Sequence, residues 1–188
     1  MVKPGLAAVL ALIGAAPAVH WISAYQGGHV HSPDGRWTVS AQAIDPDGEA
    51  MRTTAWLAGP GVKRRSLTRF ERGLEVRWHG DIGKLVLIER TIHFSRIVVG
   101  TLGPREIGPP DRIQADIEQG LAKLRRLGTI GNRIIAFGDS GQCVLAEESG
   151  LPPGWREGSY VARSAMFRLD VATGRAVPVK DCPGARID

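Results

Sequence analysis

Residues 36–43 read RWTVSAQA, an alternating stretch that decides the fold class. Trp37, Val39 and Ala41 stand at every second position with polar side chains between them, and a period of two is typical of a half-buried β-strand. The residues that follow, 45–48, read DPDG, which favours a turn because proline presets φ and glycine accepts a positive φ. Residues 49–57 can return as the partner strand, so the sequence predicts a first hairpin.

Similar patterns continue downstream. Strands are predicted over 74–78, 84–88 and 92–99, with a turn at 79–83. Two more hairpins are predicted, one joining 133–137 to 142–146 through 138–141 and one joining 160–171 to 176–179 through 172–175. Together these segments predict an antiparallel meander or sandwich.

One helix interrupts this pattern, over about 111–127. Asp111 is placed to open it, and Gln114 stands three residues later, as in a reciprocal cap. Gly128 is placed to end the helix, and Gly120 inside it costs about 1 kcal/mol relative to alanine. One face carries four aliphatic side chains, Ile113, Ile117, Leu121 and Leu124. Their burial outweighs the glycine, so we expect the helix to dock on the sheet.

Composition agrees with a packed, turn-rich β protein. The chain has 188 residues, 43% of them hydrophobic and 23% charged, and a formal net charge of +5. These values exclude a disordered tail, a collagen-like fibre and a multi-span membrane protein. The fold class predicted is mainly β (α+β), a single small domain of antiparallel hairpins with one docked amphipathic helix.

The first 18 residues have the layout of a secretory signal peptide. Lys3 precedes the apolar block 6–13, and the small-x-small sequence APA at 16–18 suits signal peptidase. Cleavage there leaves a β-rich domain over 19–188 in the periplasm or outside the cell. The alternative is an uncleaved membrane anchor through residues 5–24.

Cysteine usage agrees with export. Cys143 and Cys182 are the two cysteines of the chain, and neither has the spacing of a metal site. In an oxidising compartment a disulfide between them would tie the C-terminal tail to an earlier strand. Two separate buried thiols are the alternative.

Two segments resemble β-propeller blades. SPDGRW at 32–37 resembles the opening of blade strands in TolB-like repeats, and FRLDVATGR at 167–175 is similar to the strand–turn–strand of WD-type blades. Four blades of about 40 residues would consume nearly the whole mature chain and leave no place for the helix. The resemblance therefore implies blade-like hairpins in a small sheet protein, and an interaction role.

A serine in the second hairpin suggests hydrolase chemistry. Residues 134–140, IIAFGDS, resemble the nucleophile block of GDSL esterases, and GDSG at 138–141 resembles the serine segment of trypsin-like proteases. A serine needs a neighbouring base, yet no histidine follows His93 and neither family's partner motifs are present. The turn interpretation is favoured. The alternative is a hydrolase that uses Ser140 with Asp139 nearby and a base from the first half, His79 or His93.

A metal site is the second alternative. His29 and His31 form an H-x-H, which on a strand points both imidazoles to one face, and Asp34 could add an oxygen ligand. Without a third histidine in register, a solvated segment is the simpler interpretation.

The remaining candidates are interaction residues. Lys63, Arg64 and Arg65 form a basic run, continued by Arg69 and Arg72, that could meet an acidic polymer, although a solvated edge strand explains such a run as well. Trp155 lies in a loop rich in proline and glycine, where an exposed indole suggests a contact surface. Three other tryptophans, Trp37, Trp56 and Trp78, are expected in the core.

These observations favour a non-catalytic binding or structural module that is exported as part of a cell-envelope assembly. The expected partner is a protein or an anionic envelope polymer. We expect no nucleic acid, because export makes it improbable, and no cofactor. Contact with a membrane is expected only if the leader is retained.

Overall fold

The computed structural model describes residues 20–44, 51–91, 93–103, 112–124, 129–138, 141–154 and 160–182. Within them, three antiparallel four-stranded sheets and one α-helix confirm the predicted mainly β fold. The predicted leader, 1–18, and the turn at 45–48 lie outside the described residues.

In chain order the elements are β1 (His20–Ser23), β2 (Gly28–His31), β3 (Thr38–Ala41), β4 (Thr53–Gly59), β5 (Val62–Phe70), β6 (Gly73–His79), β7 (Lys84–Arg90), β8 (Ser95–Thr101), α1 (Ile113–Leu124), β9 (Thr129–Phe137), β10 (Cys143–Leu151), β11 (Val161–Asp170) and β12 (Arg175–Val179). A single 3-10 turn, Gly80–Ile82, joins β6 to β7. Sheet I has the order β2-β3-β4-β5, sheet II the order β1-β6-β7-β8, and sheet III the order β12-β11-β10-β9.

Strand β7 lies between two hydrophobic cores. Its residues Leu85 and Leu87 point into a first core between sheets I and II. Val86 and Ile88 point the other way, into a second core with α1 and sheet III. All four side chains are 0% exposed, because sheet II is covered on both faces. The molecule is therefore layered, with sheet II in the middle.

Helix α1 docks through the face that the sequence predicted. Ile113, Ile117 and Leu121 are fully buried in the second core. Asp111, the predicted cap partner of Gln114, lies outside the described residues. The side-chain Oε1 of Gln114 accepts a hydrogen bond from the backbone N–H of Ile97, 3.0 Å away. This residue therefore fastens the helix to the edge strand β8.

The hairpins β9–β10 and β11–β12 form as predicted. The basic run lies on β5, at an edge of sheet I. The expectation for Trp56 was wrong. Its neighbours Ala55 and Leu57 are the buried residues of β4, so the indole of Trp56 lies half-buried on the opposite face of sheet I.

Candidate functional site

The face of sheet I turned away from the core is the first candidate surface. Four residues lie side by side across its strands in register: His29 on β2, Ser40 on β3, Trp56 on β4 and Ser66 on β5. In the adjoining row, His31 is paired with Thr38. We call this surface the outer face of sheet I. Small side chains flank Trp56 on both neighbouring strands, so its indole is the large feature of a shallow surface.

The outer face of sheet I is positively charged. The Arg64 guanidinium carbon lies 4.1 Å from the centre of the Trp56 ring, a cation–π contact. Arg69 is exposed and paired with Thr54, and Lys63 is exposed near the start of β5. The four strands of this sheet contain no aspartate or glutamate. The charges on the strands are therefore of one sign.

Arg65 has a different place from its two neighbours in the basic run. It is paired with the buried Leu57 and is itself half-buried. Its guanidinium donates a hydrogen bond to the backbone carbonyl of Thr101, on sheet II. Arg65 therefore connects the two sheets, while Lys63 and Arg64 remain exposed.

The two histidines of the H-x-H lie together, on the outer face of sheet I. Their ring centres are 5.0 Å apart, and both side chains are exposed. His31 Nδ1 lies 3.0 Å from the Thr38 hydroxyl. Asp34 is held elsewhere, since it accepts hydrogen bonds from the Ser32 hydroxyl at 2.5 Å and the Arg36 backbone N–H at 3.1 Å. Among the described residues, no group of three or more metal-ligating side chains is present.

A cleft of about 370 Å³ forms the second candidate site. One wall is the β2–β3 turn, residues 32–37, which carries the SPDGRW segment, and the other contains Trp78, Asp81 and Leu102. The indole of Trp37 lies flat against Gly59, where a Cβ atom would stand 2.3 Å from its Cε3 atom. A glycine is needed at that position of β4 for Trp37 to reach the cleft.

The charges in the cleft are mixed. Hydrogen bonds from the Ser32 hydroxyl and the Arg36 backbone N–H lower the pKa of Asp34, so this carboxylate keeps its charge at neutral pH. Asp81 is exposed, and Arg36 contributes one positive charge. The cleft therefore carries two carboxylates, one guanidinium and two indoles.

One buried polar atom in the cleft wall has no hydrogen-bond partner among the described residues. This atom is Trp78 Nε1. Two other unpartnered atoms, His79 Nε2 and Thr101 Oγ1, lie on the opposite face of sheet II, because both residues are in register with Lys84, which bonds to Val171 on the sheet III side. Burial also lowers the pKa of His79, against the opposing charge of Asp81, so its imidazole is neutral at pH 7. Most buried polar groups in proteins are paired, so the Trp78 N–H is the atom of the cleft wall that the fold leaves unsatisfied.

The hydrolase alternative involves residues that the structure covers only in part. Ser140 and Asp139 lie outside the described residues, as does Trp155. The two candidate bases lie at opposite ends of sheet II, because His79 is paired with Lys84 whereas His93 follows the far end of β7. Gly141, at the β9–β10 turn, approaches the Arg77 side chain, two residues before His79.

The predicted disulfide is confirmed: Cys143 and Cys182 are bonded, with Cα atoms 6.5 Å apart. It ties the segment after β12 to the start of β10. An intramolecular disulfide is compatible with an extracellular or periplasmic location. No helix in the described part of the chain is both long enough and apolar enough to cross a membrane.

Sequence reasoning found the parts of the outer face of sheet I but missed that they form one surface. The H-x-H and the basic run are more than 30 residues apart in the chain, and the register of four strands brings them to the same side. The cleft was missed because Trp37 and Trp78 have the alternating pattern of core residues.

Comparison with known proteins adds no assignment to this geometry: the chain matches no family model, no curated protein and no solved structure.

Proposed function

We propose that this protein is an exported, non-catalytic module that binds an anionic polysaccharide of the cell envelope on the outer face of sheet I. The observation that carries the proposal is the one-signed charge of the four strands of this face around an aromatic centre. Exposed Arg64 and Arg69 supply cations, and the strands contain no carboxylate to oppose them. Such a field attracts polyanions and raises their local concentration.

The chemistry of the face suits an extended polymer better than a small ligand. Its row from His29 to Ser66 crosses all four strands of the sheet. Serine and threonine hydroxyls beside Trp56 can bond to sugar hydroxyls, while arginine forks pair with carboxylates or sulfates. The apolar block at 6–13 and the Cys143–Cys182 disulfide support export, which would place the module among envelope polymers.

The test is binding to dextran sulfate, with neutral dextran as the uncharged reference. The double variant R64A/R69A should weaken binding by about tenfold or more and flatten its dependence on salt, because each cation near the polymer contributes about 1 kcal/mol. The matched control is R168A/K180A, which removes the same charge from exposed positions on and after sheet III. Equal losses in both variants would mean nonspecific attraction and would contradict the proposal.

A second candidate, metal binding, is favoured by one observation, the 5.0 Å separation of the His29 and His31 rings. Titration with Zn²⁺ and Cu²⁺ by calorimetry tests it. A saturable signal that disappears in H29A/H31A and persists in H20A would support metal carriage. Absence of any signal in the native protein would exclude it.

The hydrolase alternative is tested by a fluorophosphonate probe. The binding-module proposal expects no labelling of the native protein. Stoichiometric modification of Ser140, lost in Ser140→Ala, would replace that proposal with an enzymatic one.

A further inference from the structure

The cleft between Trp37 and Trp78 is separate from the outer face of sheet I, because none of its wall residues belongs to that face. Its volume of about 370 Å³ lies within the range of pockets that hold small molecules. Two indoles with a few polar groups form the composition that such pockets have. The cleft therefore has the size and composition of a ligand site.

The polar atoms of the cleft narrow the class of ligand. Trp78 Nε1 is a donor and needs an acceptor, whereas the carboxylates of Asp34 and Asp81 need donors. A quaternary ammonium ion would suit the indoles and the carboxylates but offers nothing to the Trp78 N–H. An anion would suit the N–H and Arg36 but is repelled by both carboxylates. A neutral ligand with several hydroxyl groups satisfies both kinds of partner at once.

The aromatic walls add a shape requirement. An indole ring offers a flat apolar surface, so the ligand needs a flat face of C–H groups between its hydroxyls. A pyranose ring has that combination. We infer that the cleft binds one neutral pyranose unit, with its C–H face against an indole and its hydroxyls on Asp34, Asp81 and the Trp78 N–H.

The fluorescence of Trp78, in the cleft wall, can report binding. The Trp78 Nε1 atom is buried beneath the wall surface, so the indole must turn for its N–H to meet a hydroxyl. An unsatisfied buried donor costs about 1–3 kcal/mol, and the free energy recovered favours that movement. A pyranoside should therefore change tryptophan fluorescence as it binds.

The experiment titrates the full chain with methyl glucoside and diacetylchitobiose, followed by fluorescence and by saturation-transfer NMR. We expect a saturable fluorescence change for at least one of them. D81A should weaken that binding by about tenfold, since a hydrogen bond to a charged group is lost, and Asp81 is exposed, so the fold should persist. The control is E147A, which removes a carboxylate from sheet III.

Two further variants test pyranoside binding in the cleft separately from polymer binding on the outer face of sheet I. W78F retains an aromatic ring in the core but removes the N–H, and it should weaken binding while circular dichroism stays unchanged. R64A/R69A, which disrupts the polymer face, should leave pyranoside binding intact. Saturable binding of tetramethylammonium in place of both sugars, no binding of either sugar, or full affinity in D81A would each overturn the inference.

Discussion

Gly120 stands inside helix α1, where a glycine ordinarily costs about 1 kcal/mol relative to alanine. The reason is close packing: a Cβ atom at this position would lie 2.5 Å from Cε1 of Phe167, on sheet III. G120A should therefore lower the free energy of unfolding by about 1–3 kcal/mol, against its better helix propensity. Urea denaturation checks this. Q119A, at an exposed position of the same helix, should stay within about 0.5 kcal/mol, and a stabilised G120A would contradict the packing argument.

Glu148 is a second residue whose role comes from its neighbours. It is 2% exposed, and it lies in one cross-strand row between Arg133 and Arg163. Arg133 Nη2 is 2.6 Å from Oε1, and Arg163 Nε donates to Oε2 at 2.8 Å. Burial alone would raise the pKa of Glu148, but the hydrogen bonds and charges of the two arginines outweigh it and lower the pKa.

A folded-state pKa below the unfolded value means that ionised Glu148 stabilises the protein above about pH 4.3, and that this contribution is lost as the pH falls through the lower folded value. E148Q should be less stable at pH 7 by about 3 kcal/mol, since it leaves Arg163 without its carboxylate and Arg133 with Glu118 alone. Below about pH 4.3 the difference in free energy of unfolding between E148Q and the native protein should shrink. Urea midpoints at pH 7 and at pH 3 measure both effects, and a gap that widens on acidification would contradict the assignment.

Glu89 provides a control of opposite sign. Its burial raises the pKa in spite of the hydrogen bonds from Arg96 at 3.0 and 3.1 Å. Folding therefore favours the protonated form, and the unfavourable contribution of ionised Glu89 is relieved as the pH falls through the folded value. E89Q should remove that relief. On acidification, the stability of E89Q relative to the native protein should therefore fall, whereas that of E148Q should rise.

At the scale of elements, the disulfide is a long-range contact that the sequence predicted correctly. Two cysteines leave a single intramolecular pairing, so no register had to be known. The bond spans 39 residues and holds the chain after β12, where sheet III has its edge strand. A crosslink of this span stabilises a protein by about 2–4 kcal/mol.

Reduction should therefore lower the midpoint of thermal or urea unfolding by an amount that corresponds to about 2–4 kcal/mol. C143S/C182S should unfold at the midpoint of the reduced native protein, and adding reductant should not shift it further. A native protein whose midpoint is the same with and without reductant would show that the crosslink has no effect on stability.

Strands and helix were predictable because their signals are local. Alternation located β3 and β6, and the spacing of Ile113, Ile117 and Leu121 located the docked face of α1. Trp56 was misplaced, because alternation shows which residues share a face but not which face is covered. Trp56 is large and apolar, yet the buried side of β4 belongs to Ala55 and Leu57. The core there is filled by Phe70 from the neighbouring strand β5 and by Leu74 from sheet II.

At the scale of the whole molecule, sheet order was beyond the sequence. Strand β1 pairs with β6, about 50 residues further along the chain, while its neighbour β2 starts a different sheet. Nothing in the local sequence pattern of His20–Ser23 indicates which strand it pairs with. Both candidate sites depend on this topology, since one is a face made by four strands and the other joins the β2–β3 turn to the end of β6.

The shared sheet should make the two cores unfold together. Leu87 and Ile88 are adjacent in β7 but fill different cores, and each is 0% exposed. L87A and I88A should each cost about 2–5 kcal/mol. Loss of either core uncovers a face of sheet II, so neither half should survive alone, and one two-state transition is expected.

Two probes test this expectation. Tryptophan fluorescence reports chiefly on sheets I and II, which contain Trp21, Trp56 and Trp78, whereas hydrogen exchange of the α1 amides reports on the second core. In I88A the free energy of unfolding that each probe reports should fall by the same amount, although the deleted atoms lie on the helix side of sheet II. V177A, at a position 48% exposed, is the control: the free energy of unfolding from each probe should stay within about 0.5 kcal/mol of the native value. If I88A lowered the protection of α1 while fluorescence kept the native midpoint, the two cores would be independent and β7 would not couple them.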